Sequence, residues 1–283
     1  MNYDIIASDL DGTLLMNVTE VSDENYRAIA EYRKMGGHVV PASGRCFYEM
    51  PKALRECEDI RYYISSNGAV ISDTETGARN EVLISDGKFK EVKALLDSYD
   101  TYLNLHVGGY GFILEDTDSW ELAKTYNLNT YYYQHYHDNS KKVASWDEAL
   151  TYGNGVEMIA VFFKSQEALD ECVSRLNGLG GVIATSSTDF NVEIIAEGAS
   201  KGDGVRRLAG MLGVSTDKII GVGDSPNDIA LLEGVGLPLA VENAADVLKE
   251  RAQMVICHHT EHIIRYILDN ILRLNRCLNR RGL

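Results

Sequence analysis

A chain of 283 residues with 45% apolar side chains can bury a substantial core, and its length suits one large domain or two modest ones. A formal net charge of −15 is the wrong sign for gripping phosphate backbones, so no nucleic-acid partner is expected. The longest apolar runs, such as VEMIAVFF at 156–163, fall short of the roughly 20 residues that span a bilayer. No membrane segment or secretory signal is read, and the expected location is cytoplasmic. Five scattered cysteines (Cys46, Cys57, Cys172, Cys257 and Cys277) show no paired metal spacing, so neither disulfides nor a cysteine-zinc site is expected.

The chain opens on an apolar run, IIASDL, followed at once by DGT. In an extended segment the side chains of Asp9 and Asp11 share one face while Leu10 turns inward. Two carboxylates on one side call for a hard cation such as Mg²⁺, although Asp-Gly is also an ordinary turn signal. A helix follows from Ser22 to Met35, with Asp23 and Glu24 in its first turn. HVVPAS reads as a second strand, Gly44-Arg45 as the opening of another helical stretch, and RYYISSNG as a third strand. This strand–helix alternation predicts a parallel sheet, with ligands beyond the carboxyl ends of its strands.

Between Leu83 and Asp189 the pattern changes to an inserted α+β unit. It carries helices over GKFKEVKALLDSY and SQEALDECVSRLNGL and tyrosine-rich runs between them. The segment TYYYQHYHD at 130–138 alternates with period two and is read as a sheet face, in preference to side chains reaching a ligand. His135 and His137 have no evident third ligand, so no metal is expected there.

The first pattern then resumes. Ser200 and Asp203 form a capping-box signature that places Lys201 in the first helical turn. A cation there opposes the helix dipole and suggests a nearby anion, with a solvated lysine as the plainer reading. After the strand KIIGVG, Ser225 and Pro226 predict a helix start in GDSPND, with Asp224 just outside it and Asp228 in its first turn. Further on come the strand LPLAV, a helix near Ala244, and a basic tail, RLNRCLNRRGL, read as a solvated helix end.

DLDGT, Ser43 in PASGR, Lys201 and GDSPND, in this order, resemble the motifs of the haloacid dehalogenase-like (HAD) superfamily of phosphotransferases. SSNGA after the third strand, with about a hundred residues inserted between the second and third motifs, resembles the Cof-like branch. The resemblance spans the chain. One departure is CHHTEHIIRYI, which stands where the branch often has a glycine-containing segment.

The resemblance implies an α/β fold, with a Rossmann-like parallel-sheet core (1–83 and 190–283) and an inserted α+β cap (84–189) that selects substrates. It implies Asp9 as a nucleophile that becomes an aspartyl phosphate, and Asp11 as general acid and then base, its pKa raised by neighbouring carboxylates. Mg²⁺ would be held by Asp9, the backbone carbonyl of Asp11 and Asp224, with Asp228 behind or through water. Ser43, Gly44, Lys201 and Asn227 would hold phosphoryl oxygens. The implied activity is hydrolysis of small phosphorylated metabolites, sugar phosphates among them, by a monomer or small homo-oligomer. A phosphosugar mutase and a non-catalytic aspartyl-phosphate switch are the alternatives.

Overall fold

β1 (Ile5–Ser8) is buried along its whole length, as an apolar run flanked by strands on both sides should be. The computed structural model describes residues 3–186 and 188–272. In chain order β1 is followed by β2 (His38–Pro41), β3 (Tyr62–Ser65), β4 (Val70–Asp73) and β5 (Arg79–Glu81). Next come β6 (Thr101–Val107), β7 (Tyr110–Leu114), β8 (Lys141–Val143), β9 (Met158–Phe163), β10 (Val182–Thr185) and β11 (Asn191–Ala196). The last are β12 (Ile219–Gly223), β13 (Leu237–Ala240) and β14 (Met254–Val255).

The first sheet has the order β14-β13-β12-β1-β2 and is parallel throughout. A parallel bridge between Ala42 and Ile64 links it to the antiparallel ribbon β3-β4-β5. The second sheet runs β10-β11-β9-β6-β7-β8, antiparallel except between β7 and β8. Its strands extend to Ala196, past the expected boundary at 190, because β11 pairs with β9 and β10. Each sheet anchors its own cluster of buried apolar side chains. No described helix is long and apolar enough to cross a membrane.

The register of the parallel sheet positions the site. Ser8 pairs with Val222 on one side and Pro41 on the other, so the residues just past these pairs emerge along one edge. The helix Lys201–Leu212 starts beneath that edge, where Ser200 and Asp203 form the expected capping box. Gly202 lets it approach closely, since a Cβ there would lie 2.0 Å from the Ala230 carbonyl oxygen.

Three expectations about elements are corrected. Residues 130–138 are not a sheet face: Thr130–Asn139 is an α-helix, N-capped by the Asn129 side chain, which accepts from the Tyr132 amide. The segment from 131 to 139 has no β-branched residue to favour a strand. The stretch after Gly44 forms only the short turns Phe47–Glu49 and Lys52–Arg55. Pro51 forces Met50 into an extended conformation between them. The helix expected near Ala244 is a single turn, Asp246–Lys249.

The segment at 257–267 folds back on the core, with a hydrogen bond between His259 Nδ1 and the Leu15 carbonyl at 2.8 Å. The basic tail from 273, with Cys277, lies outside the described residues.

Candidate active site

Asp9 ends β1 with its amide donating to the Val222 carbonyl at 2.9 Å, which sets it beside the end of β12. It is 4% exposed. Lys201 Nζ donates to Asp9 Oδ1 at 2.6 Å and to Asp228 Oδ1 at 2.7 Å, all three side chains being buried. The misplaced cation of the helix start is thus explained by two buried carboxylates. The other oxygen of Asp228 accepts from the amides of Asp224 and Ser225, at 3.0 and 3.2 Å. Asp228 therefore orients Lys201 and shapes the loop that presents Asp224.

Ligand oxygens of Asp9, Asp224 and Asp228 lie within 4.8 Å of one another. Burial pushes the Asp9 carboxyl well above its usual range, with Asp228, Asp224 and Asp11 adding to the effect and Lys201 opposing it. Asp224 is pushed up to about 6, by burial and by Asp228. Crowded, buried oxygens that resist ionising together form a donor set that suits a hard divalent ion. Thr13 steadies Asp224 by donating to Oδ1 at 3.2 Å. Gly12 adopts φ +73°, and a Cβ there would sit 2.6 Å from Asp224 Oδ2.

Ser43 and Gly44 follow β2, and Asn227 accepts from Lys201 Nζ at 3.3 Å. Asp9, Asp11, Ser43, Gly44, Asp224 and Asn227 all line one cavity of about 390 Å³. Lys201 and Asp228 stand buried behind Asp9. The structure thus brings together every site residue expected from the sequence.

A family model for haloacid dehalogenase-like hydrolases matches residues 6–268. The chain belongs to the haloacid dehalogenase-like hydrolases. It is 28% identical to the 5-amino-6-(5-phospho-D-ribitylamino)uracil phosphatase YwtE of Bacillus subtilis, over 94% of this chain and 97% of that one. It is 27% identical to the phosphatase YwpJ of the same organism, over 95% and 99%. A solved haloacid dehalogenase-like hydrolase from B. subtilis superposes with a TM-score of 0.76 at 26% identity, covering 95% of this chain and 99% of that one.

In this hydrolase Asp11 differs electrostatically from the expectation. Arg45 holds it through two contacts, Nε to Oδ2 at 2.9 Å and Nη2 to Oδ1 at 2.5 Å, and the Tyr131 hydroxyl donates to Oδ1 at 2.8 Å. Burial pushes the carboxyl up, but the Arg45 guanidinium and the hydrogen bonds of Arg45 and Tyr131 bring it below its usual value. The expectation of a raised Asp11 is therefore corrected. Neighbouring carboxylates matter less than a guanidinium 34 residues away in sequence.

Sequence reasoning missed both Arg45 and Tyr131 as site residues. Tyr131 was hidden by the strand reading of 130–138; as the second residue of a helix it reaches across to the core. Asn67 lies in the turn just after β3. It donates to Glu193 Oε2 at 2.6 Å and accepts from Asn227 at 3.3 Å, connecting the second sheet to the loop that carries Asp224 and Asn227.

Proposed function

We propose that this hydrolase is a Mg²⁺-dependent phosphatase that cleaves phosphate monoesters of small metabolites, sugar phosphates among them, through an aspartyl phosphate on Asp9. The reading rests on one observation above all: the buried Lys201 ammonium, 2.6 Å from Asp9 at the end of β1, beside the end of β12 that carries Asp224. Two of the curated relatives being phosphatases supports it, one of them named for a phosphorylated ribityl compound.

Asp9 attacks phosphorus and releases the alcohol, dividing one hard displacement into two steps. Lys201 holds Asp9 in its reactive orientation and, with Ser43, Gly44 and Asn227, takes up charge on the phosphoryl oxygens. The Asp9 and Asp224 carboxylates and the Asp11 carbonyl would hold Mg²⁺, with Asp228 behind them. When bound, the ion supplies charge neutralisation where a dianionic phosphate meets several carboxylates.

Asp11 moves the protons. Clasped by Arg45 and Tyr131 it is ionised and suited to accept a proton from the hydrolytic water. To donate one to the leaving alkoxide it must leave the clasp and become protonated. The unit from 84 to about 196 serves as the cap: Tyr131 and neighbouring side chains close the cavity over the reacting group and choose among alcohols. Its expected setting is the cytoplasm.

Phosphate release from a panel of sugar phosphates, nucleotides and cofactor phosphates, with Mg²⁺ and with chelator, tests the reading. Release should stop in chelator and return with Mg²⁺. Full turnover in exhaustive chelator would refute the metal assignment. Conversion of a sugar phosphate to its positional isomer without free phosphate would identify a mutase.

A further inference from the structure

A second group of metal-ligating side chains shares no residue with the acidic cluster and has no part in the proposed reaction. Cys46 and Glu49 lie on the turn after β2, His106 on β6 and His135 on the helix Thr130–Asn139. The ligand atoms of Cys46, Glu49 and His106 lie within 4.8 Å of one another, and all three residues are buried. His106 Nε2 is 3.4 Å, and His135 Nε2 3.7 Å, from Glu49 Oε2.

Those separations are long for charge-assisted hydrogen bonds, which close to about 2.7–2.9 Å. The first of them matches the edge of a tetrahedral zinc shell, about 3.3–3.4 Å for bonds of about 2.0–2.1 Å. The His106 nitrogen and the Glu49 oxygen are thus spaced as two ligands of one ion are, while His135 stands outside the three-residue group.

The other ring nitrogen of His106 supplies an independent observation. Nδ1 is 3.1 Å from Ser66 Oγ, and the Ser66 hydroxyl donates to Glu157 Oε2 at 2.8 Å. With its hydrogen committed to Glu157, Ser66 accepts from Nδ1–H, which aims Nε2 at Glu49 as the ligand atom. Glu157 is fixed in turn by Arg79 and the Gly109 amide, each at 2.6 Å through Oε1. Metal-ligating imidazoles are oriented by such a chain of hydrogen bonds. An ion has a route in, because Glu49, His106 and His135 line the same cavity as Asp9.

We propose that Cys46, Glu49 and His106 form a second cation site, for a divalent ion of the zinc type, with its open position toward the cavity. A thiolate, an imidazole and a carboxylate suit zinc or cobalt(II) and do not suit Mg²⁺. On binding, the Cys46 sulfur gives its proton to solvent and its lone pair to the ion. Because the ligands come from the turn after β2 and from β6, a bound ion ties the cap to the core beside the cavity. Cysteine spacing could not reveal this site, since its ligands come from separate elements.

The site stands apart from the proposed reaction and is tested by spectroscopy. The full chain, kept in excess Mg²⁺ to occupy the acidic cluster, is titrated with Co²⁺. A sulfur-to-cobalt charge-transfer band should appear, which an all-oxygen site cannot produce, and zinc should bleach it. Cys46→Ser and His106→Gln should each abolish the band, while Cys57→Ser, Cys172→Ser and Cys257→Ser should keep it. Ser66→Ala should weaken cobalt binding by about 10–100-fold. The proposal is overturned if wild-type protein shows no band in excess Co²⁺, if the band persists in folded Cys46→Ser, or if another cysteine variant removes it. Should Cys46→Ser fail to fold, His106→Gln removes a different ligand of the same set, and the wild-type spectrum decides the question by itself.

Discussion

At Lys201 one ammonium meets two buried carboxylates, and removing it would leave both without their cation. Breaking a buried ion pair by deleting one partner destabilises a fold by about 3–5 kcal/mol. Lys201→Met in metal-free buffer should therefore lower the unfolding free energy by about 3 kcal/mol and abolish phosphate release. Urea denaturation checks the first effect, and unchanged stability would show that the ammonium does not hold these carboxylates together. A second residue couples stability to pH. Hydrogen bonds from Arg61, at 3.0 and 2.8 Å, lower Asp73 to about 2. A depressed carboxyl stabilises the fold above its unfolded value near ~3.9, and that contribution is lost as pH falls through the folded value. Arg61 keeps 27% of its side chain in solvent, so water and salt screen the pair and its contribution is small. Asp73→Asn should be slightly less stable than wild type at pH 7, with the gap closing between about pH 4 and about pH 2. A gap that does not vary with pH would place the pair's contribution elsewhere.

Among elements, the loop after β1 has the narrowest tolerance. Gly12 supplies a left-handed turn and leaves room for Asp224 in the same place. Gly12→Ala should push Asp224 aside and raise the Mg²⁺ concentration needed for half-maximal phosphate release, with smaller effect on saturated turnover. An unchanged metal requirement would remove Asp224 from the ligand set. Local chemistry made several elements legible in advance: the capping box at Ser200 and Asp203, the Ser225–Pro226 start, and the carboxylates at the ends of β1 and β12. The helix Thr130–Asn139 was not legible, because aromatic residues alternate as readily in a strand as they cover a helix. Its start is set by the Asn129 cap, and Tyr132 and Tyr136 pack with Phe162 of the second sheet.

At the scale of the molecule, two clusters of buried apolar side chains among the described residues support the two sides of the cavity at Asp9. The parallel sheet aligns Asp9, Ser43 and Asp224 along one edge, while the second sheet and its helices bring Tyr131, His106 and Glu193 over it. Motif order sufficed to find the first set. The second set depends on contacts between residues far apart in the chain, 120 for Tyr131 with Asp11 and 126 for Glu193 with Asn67, which no local pattern encodes. The central claim is that Asp9 carries the phosphoryl group and Asp11 moves the protons. Rapid acid quench of the Asp11→Asn variant with p-nitrophenyl phosphate tests both parts at once. This leaving group needs little protonation, so the first step should outlast the second. A burst of about one equivalent of nitrophenol per chain should precede slow turnover. The phosphoryl group should be recovered on the peptide bearing Asp9 and be absent when Asp9 is also changed to Asn. No burst and no labelled protein, with aryl and sugar phosphates losing activity by equal factors, would contradict the account.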